Sequence, residues 1–206
     1  MDAAVIASMA RWPNVPDCYG WLHLNAQGQW LMGEQDELGD GQKPSVVEHE
    51  GLKNFINRNY VRTENGAWAL QNGPQRVWVN LNLAPLIVRL HRGIATAHTG
   101  VVVNIEVVIL SSDGVVYFNT DLGAAALESA SMTAFSDGLQ LKSAVTNMSI
   151  EQAVENTVQN KTQDLLAWQA STHHPVVSVL NCDSIHIQKT LGFTRKPRQQ
   201  FERKLP

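Results

Sequence analysis

The stretch ENGAWALQNGPQRVWVNLNLAP, residues 64–85, decides the fold. Residues 67–71 suit one strand and are apolar as far as Leu70, and a second run carries valine and leucine at every other position. Such alternation is typical of a strand with one buried face. Between the two runs, Asn72, Gly73 and Pro74 are residues that favour tight turns, because Asn and Gly tolerate a positive φ and Pro restricts its own φ. We therefore predict a β-hairpin at this point of the chain.

The polar end of this hairpin is the best candidate for a ligand-binding site. Gln71, Gln75 and Arg76 offer amide and guanidinium groups, and Trp78 adds an indole on the return strand. The simpler interpretation is that these residues only close the turn. We predict a turn first, and a binding site formed by Gln71, Gln75, Arg76 and Trp78 second.

Working outward, apolar periodicity predicts further helices and hairpins. Helices are expected over residues 2–12, 48–60 and 149–170, the last starting with a capping box of Ser149 and Gln152. Hairpins are expected over residues 20–33 and 101–120, and single strands near residues 86–90 and 175–182. The segment from residue 121 to 141 is ambiguous, part helix and part loop.

This order of elements predicts an α+β fold. We expect mainly antiparallel strands built from successive hairpins, with two or three packed helices. An N-terminal part, residues 1–92, and a second part, residues 93–206 with the long helix at 149–170, are expected to pack as one compact unit.

Composition indicates an ordinary globular protein that functions in the cytoplasm. The 206 residues are 44% hydrophobic and 17% charged, with a formal net charge of −3. The longest apolar stretch, residues 101–110, is too short and too polar to span a bilayer, so we expect no membrane association. We see no signal peptide, and two distant cysteines, Cys18 and Cys182, indicate free thiols and no disulfide framework.

Familiar catalytic motifs are missing from the sequence, so we predict no cofactor and favour a non-catalytic function. The alternative is an enzyme of unfamiliar type that uses the region of His173, His174, Cys182 and His186. The simpler interpretations are that the paired histidines cap the C-terminus of the long helix and that Cys182 is a buried structural residue. The segment 48–50, Glu-His-Glu, resembles a metal-ligating pattern, but it also suits the start of a helix, and we predict no metal site.

The C-terminal tail is basic. From Lys189 onward the chain has six Lys and Arg residues against the single acid Glu202, which leaves 10 basic and 18 acidic residues elsewhere. Such a tail, residues 194–206, suits contact with a nucleic acid, or docking on the acidic remainder of the chain. Aromatic residues that could stack on bases are nearly absent from it, so nucleic-acid binding is the less favoured interpretation.

Tryptophans are concentrated in the first half of the chain, where they suit cross-strand core pairs; an exposed subset would indicate a ligand groove or a dimer interface.

The segments WPNVPDCYGWL, HEGLKNFINRNY and GAWALQNGPQRVWVNL resemble an uncharacterised proteobacterial protein family, a domain of unknown function, mainly over residues 10–120. This resemblance implies a bacterial cytoplasmic protein without an established activity. We predict a protein that binds an unknown small molecule or a protein partner, with a homodimer as one form of the latter.

Overall fold

The computed structural model describes residues 1–12, 15–34, 43–143, 145, 147–161 and 164–198. It has an α+β fold, as the sequence predicts, and contacts divide the chain into two compact units. The first unit comprises the described residues that fall within 1–25, 29–82 and 194–198, and the second comprises those within 26–28 and 83–193. The boundary expected at residues 92 and 93 lies in the turn of a hairpin of the second unit.

The first unit contains a six-stranded mixed sheet and two helices among its described residues. The elements are α1 (Ala3–Arg11), β1 (Cys18–Leu24), β2 (Trp30–Met32), β3 (Ser45–Val46), α2 (Glu50–Arg58), β4 (Tyr60–Arg62), β5 (Trp68–Asn72) and β6 (Gln75–Leu81). The strand order is β3-β2-β1-β6-β5-β4. The two predicted hairpins, β1–β2 and β5–β6, are antiparallel, and β1 joins them by pairing in parallel with β6.

The core of the first unit lies between one face of this sheet and α2. Trp30 contacts Tyr60 edge to face at 4.9 Å between ring centroids, and Tyr60 contacts Trp68 at 4.6 Å. Ile56 of α2 is fully buried, and the Trp30 indole N–H donates to Asn57 Oδ1 at 2.7 Å. Of the predicted stripe at residues 52, 55, 56 and 60, Ile56 and Tyr60 are buried and the other two are partly buried; Tyr60 lies in β4 and not in α2.

The second unit contains an eight-stranded mixed sheet and three α-helices among its described residues. The elements are β7 (Leu86–His91), β8 (Ile94–Ala97), β9 (Ile105–Ser111), β10 (Val116–Thr120), β11 (Gly123–Leu127), a short 3-10 helix (Ser129–Ser131), α3 (Met132–Ser136), β12 (Leu139–Leu141), α4 (Ile150–Val158), β13 (Leu166–Trp168), β14 (Val177–Cys182) and α5 (Ile187–Leu191). The strand order is β12-β13-β14-β9-β10-β11-β7-β8.

Both sheets are mixed, so the expectation of mainly antiparallel hairpins is only partly right. Hairpins supply most of the pairs, but β1–β6, β7–β11 and β9–β14 are parallel. These parallel pairs join strands that are distant in sequence. A hairpin pattern in the sequence reports only the neighbouring strand, so it does not predict them.

The long helix predicted at residues 149–170 is wrong. The capping box of Ser149 and Gln152 is present, but α4 ends at Val158 and residues 166–168 form the buried strand β13. Asn160 and Asp164 both have a positive φ, which an α-helix does not accommodate. The leucine and tryptophan that matched a helical stripe are therefore core residues of the sheet.

The remaining differences concern the second sheet. The strand expected to begin at residue 101 begins at Ile105, after an isolated bridge between Thr96 and Val102. The ambiguous alanine run is strand β11, buried between β10 and β7. Alanine has a weak preference for strands, and here burial on both faces of a central strand overrides that preference.

Candidate ligand-binding site on the first sheet

The predicted turn joins β5 and β6 directly. Asn72 pairs with Gln75 across the hairpin, so Gly73 and Pro74 form the two-residue loop. Of the described residues in this turn, only Gly73 has a positive φ, +59°, whereas Asn72 remains in the strand. The expectation that Asn72 also supplies a positive φ is wrong, because the glycine alone satisfies the turn.

Three of the four predicted site residues share one face of the sheet. Gln71 is the register partner of Arg76, and Ala69 is the partner of Trp78. Since side chains alternate along a strand, Gln71, Arg76 and Trp78 lie on the same face and Gln75 lies on the other. Gln75 instead donates its side-chain N–H to the Pro16 carbonyl at 3.2 Å. The hairpin therefore brings together Gln71, Arg76 and Trp78, but not the side chain of Gln75.

Gln71 is the structural centre of the hairpin end. Its side chain is buried, and Nε2 donates to the Gly73 carbonyl at 2.9 Å and to the Gln75 carbonyl at 3.4 Å. Its Oε1 accepts a long hydrogen bond, 3.5 Å, from Arg76 Nε. A buried amide whose N–H and carbonyl groups are both hydrogen-bonded is held in one rotamer. Gln71 therefore stabilises the turn and positions the Nε end of the Arg76 guanidinium.

Trp78 holds the other side of Arg76. The guanidinium carbon lies 5.5 Å from the centroid of the Trp78 ring, within the range of a cation–π interaction. The indole N–H donates to Asp17 Oδ2 at 2.8 Å, and Ala67 and Ala69 form a small buried cluster with the ring. The indole is therefore immobilised by packing and by a carboxylate.

Tyr19 completes the site, and sequence reasoning did not find it. Its ring stacks on Trp78 at 5.8 Å between centroids and 18° between planes, because β1 lies beside β6. Burial, and then the negative charge of Asp17, raises the pKa of the Tyr19 hydroxyl above its usual value. No local pattern in the sequence indicates this contact, since it depends on the parallel pairing of two hairpins.

Arg76 is the group of this site that could hold an anionic ligand. Among the described residues, no carboxylate lies within the 4.0 Å ion-pair distance of Arg76. The Arg76 side chain is partly exposed, and the hydrogen bond of Nε to Gln71 leaves its two terminal amino groups to other partners. A guanidinium fixed in this way offers a planar pair of N–H donors that matches a carboxylate or a phosphate.

The alternative site around His173, His174, Cys182 and His186 has a different structure from the one expected. His173 and His174 lie in the exposed turn between β13 and β14, so the interpretation as a helix C-cap is wrong: α4 ends well before them. His174 Nδ1 lies 2.8 Å from Ser171 Oγ. Cys182 Sγ lies 3.3 Å from Thr190 Oγ1, and His186 is an exposed residue preceding α5.

The described residues contain no group of three or more His, Cys, Asp or Glu side chains that could hold a metal ion. In the segment 48–50, His49 is the N-cap of α2 and its Nδ1 accepts from the Leu52 N–H at 3.1 Å, while Glu50 lies in the first turn. This agrees with the helix-start interpretation of that segment.

The basic tail is described only as far as residue 198, and the remainder of the predicted nucleic-acid arm lies outside the described residues. The Thr194 N–H donates to the Gly66 carbonyl at 3.1 Å, and the Arg195 carbonyl accepts from the Leu81 N–H at 2.8 Å. The beginning of the tail is thus bonded to the first unit through its backbone. Over the part of the chain that the structure describes, no helix is long and apolar enough to cross a membrane.

Comparisons with known proteins give a family but no activity. A search of curated proteins finds no significant match. Among solved structures, the chain is similar to a DUF1285 family protein from Silicibacter pomeroyi DSS-3, with 14% identity, 63% of this chain and 75% of that chain covered, and a TM-score of 0.44. The DUF2944 family model, described as "Protein of unknown function (DUF2946)", matches residues 1–198. The expected membership of a family of unknown function is confirmed: the chain belongs to the DUF2944 family.

Proposed function

We propose that this protein binds a small anionic ligand, a carboxylate or a phosphate ester, through Arg76. The observation that carries the proposal is the state of the guanidinium: it stacks on Trp78, bonds to Gln71 through Nε, and has no carboxylate partner among the described residues. Fixing an arginine before the ligand arrives lowers the entropy cost of binding. Tyr19 and Trp78 supply an aromatic surface beside the charge, which suits a ligand with a planar or apolar part next to its anionic group.

Ligand-dependent thermal stability tests this proposal, because a ligand that binds only the folded state raises the melting temperature. The full chain is screened against monocarboxylates, dicarboxylates, sugar phosphates and nucleotides, each with a neutral analogue. We expect some of the anions to raise the melting temperature and to change Trp fluorescence, and their neutral analogues to do neither. A screen in which no anion stabilises the protein contradicts the proposal.

Two variants of Arg76 locate the effect. Arg76→Gln should abolish the shift, and Arg76→Lys should weaken it, because an ammonium group cannot form two parallel hydrogen bonds to one carboxylate. The matched control is Arg11→Gln: Arg11 also stacks on an indole, that of Trp12, at 5.4 Å, but at the exposed end of α1. A ligand whose stabilisation survives Arg76→Gln binds elsewhere, and the proposed site is then wrong.

A protein partner, including a second copy of the chain, is the second candidate, and the exposed tryptophans favour it. Trp12 is 54% exposed and Trp21 is 49% exposed, and tryptophan concentrates binding energy at interfaces. Sedimentation at increasing concentration tests for the homodimer. If the chain dimerises through the surface that carries Trp21, Trp21→Ser should lower the association constant. A monomer at all concentrations would contradict the homodimer. We also propose that the protein functions in the bacterial cytoplasm. Its composition and its resemblance to an uncharacterised proteobacterial family support this proposal.

A further inference from the structure

The second unit contains a cysteine at the carboxyl ends of two parallel strands. Strands β9 and β14 pair in parallel, and their last register pair is Ser111 with Cys182. Register partners on adjacent strands have backbones about 4.8 Å apart and present their side chains on the same face of the sheet. The register therefore places the side chains of Ser111 and Cys182 at adjacent positions on one face of the sheet.

The thiol of Cys182 is partly exposed and lies within hydrogen-bonding distance of a hydroxyl group. The residue is half-buried, and Sγ lies 3.3 Å from Thr190 Oγ1 on α5. The same sulfur lies 3.4 Å from the Asp183 carbonyl, to which a protonated thiol donates. Either atom of the Cys182–Thr190 contact can be the donor, so the Thr190 hydroxyl can also donate to the sulfur.

The hydroxyl group of Ser111 is buried and lacks a hydrogen-bond partner among the described residues. The residue is 1% exposed, and its hydroxyl is one of two buried side-chain polar groups for which the described residues provide no hydrogen-bond partner. The next residue differs: Ser112 Oγ donates to Asp183 Oδ1 at 3.3 Å and accepts from the Ser184 N–H at 3.0 Å. A buried hydroxyl without a partner is rare and costly, so a polar atom is expected beside it in some state of the protein.

We propose that Cys182 is a site of oxidation to the sulfenic acid by hydroperoxides, and that the Ser111 hydroxyl stabilises the sulfenic acid. The Cys182 thiolate attacks one peroxide oxygen, the O–O bond breaks, and an S–O bond forms. The leaving hydroxide, or alkoxide for an organic peroxide, takes a proton from solvent. The sulfur is oxidised by two electrons and the peroxide is reduced to water or alcohol. The new oxygen on the sulfur is then the missing hydrogen-bond partner of Ser111.

The other cysteine of the chain is a natural internal control. Cys18 is also half-buried, but burial raises the pKa of its thiol, which lowers the fraction present as the reactive thiolate. No hydroxyl is described within hydrogen-bonding distance of the Cys18 sulfur. A general oxidation of exposed thiols would affect both residues, whereas the proposal requires a preference for Cys182.

Trapping of the sulfenic acid tests the proposal. The reduced full chain is treated with hydrogen peroxide in the presence of dimedone, and the modified cysteine is located by peptide mass spectrometry. We expect labelling of Cys182 to exceed that of Cys18 severalfold, and Cys182→Ser to remove it. Equal labelling of the two cysteines, or none at Cys182, would overturn the proposal.

The role of Ser111 has matched variants. Ser111→Ala should lower the dimedone yield at Cys182 severalfold without slowing its alkylation by iodoacetamide, because the thiol is unchanged and only the oxidised product loses a partner. Ser112→Ala should leave the yield unchanged, and Ser111→Thr, which keeps a hydroxyl, should retain it. Removing an unpartnered buried hydroxyl is not expected to lower the melting temperature. An unchanged yield in Ser111→Ala, or an equal loss in Ser112→Ala, contradicts the assigned role.

Discussion

The two units solve the same packing problem, the burial of large aromatic side chains, in different ways. In the second unit, Phe118, Phe135 and Trp168 form a cluster with centroid separations of 5.8–6.2 Å, and the Trp168 N–H donates to the backbone carbonyl of Phe135 at 2.9 Å. In the first unit, Trp30 and Trp78 donate instead to side chains, those of Asn57 and Asp17.

The difference shows which core is closed and which has a polar edge. Among the described residues, the polar bond of this buried cluster returns to its own backbone, so the cluster presents no free polar group to a ligand. An indole bonded to an exposed carboxylate, with a guanidinium on its ring, connects the packed interior to solvent at a defined point. The candidate site therefore lies in the first unit because the indole N–H of Trp78 bonds to an exposed side chain and not to a buried backbone carbonyl. The number of aromatic residues is not what distinguishes the two units.

Truncation of the closed cluster should have the largest effect. Trp168→Ala removes a side chain that is 98% buried and leaves a cavity, so we expect the free energy of unfolding to fall by about 3–5 kcal/mol. Denaturant unfolding measures the loss, and hydrogen exchange should show it in β9, β10 and β13. The control, Trp21→Ala, removes a half-exposed tryptophan and should cost about 0.5 kcal/mol or less. A loss as small in Trp168→Ala would mean that the cluster is not a closed core.

The second unit should also carry the stronger dependence on pH. His98 is partly buried, and its Nδ1 accepts from the Ile87 N–H at 3.2 Å. Burial, and then the positive charge of Arg89, lowers the pKa of His98 from 6.5 to about 3. The unfolded chain therefore takes up a proton below pH 6.5 that the folded chain refuses, so the stability present above pH 6.5 is lost as the pH falls towards 3.

The expected loss is about 2 kcal/mol between pH 7 and pH 5, measured as the free energy of unfolding in denaturant. His98→Asn is the matched variant, since its amide oxygen can still accept from the Ile87 N–H but does not titrate. Its stability should change much less over the same interval. If the variant and the parent chain lose stability equally, His98 is not the responsible group.

Sequence reasoning predicted the local parts of both units. The β5–β6 hairpin follows from alternating residues and a Gly-Pro turn, and the capping box at Ser149 follows from a spacing of three residues. Gln71, Arg76 and Trp78 were identified together because a hairpin places partners within a few residues of each other. The same proximity in sequence groups Gln75 with them, although its side chain lies on the opposite face of the sheet.

The non-local contacts could not be predicted in this way. Tyr19 stacks on Trp78 only because β1 pairs in parallel with β6, and Ser111 lies opposite Cys182 in the register only because β14 pairs in parallel with β9. Residues 165–168 show the same limit. Their apolar run suits a helix or a strand, and the strand forms because β12 and β14 lie on either side of it. Tertiary pairing, which no single segment encodes, decides between the two.

The hydrogen bond between Trp78 and Asp17, at the polar edge of the first unit, should contribute less to the free energy of unfolding than the closed core. A double-mutant cycle measures this contribution. Trp78→Phe keeps a ring against Tyr19 but loses the N–H donated to Asp17, so we expect a cost of about 1 kcal/mol. Because Asp17 is exposed, its carboxylate is hydrated again in the variant, which limits the loss.

The Asp17→Ala variant should lose a similar amount of stability, and Asp17→Asn should lose less, since the amide oxygen still accepts a hydrogen bond. The double variant Trp78→Phe with Asp17→Ala should be no less stable than either single variant, a coupling of about 1 kcal/mol. Strict additivity would show that the indole is held by packing alone, and the contrast between the two units would then lose its physical basis.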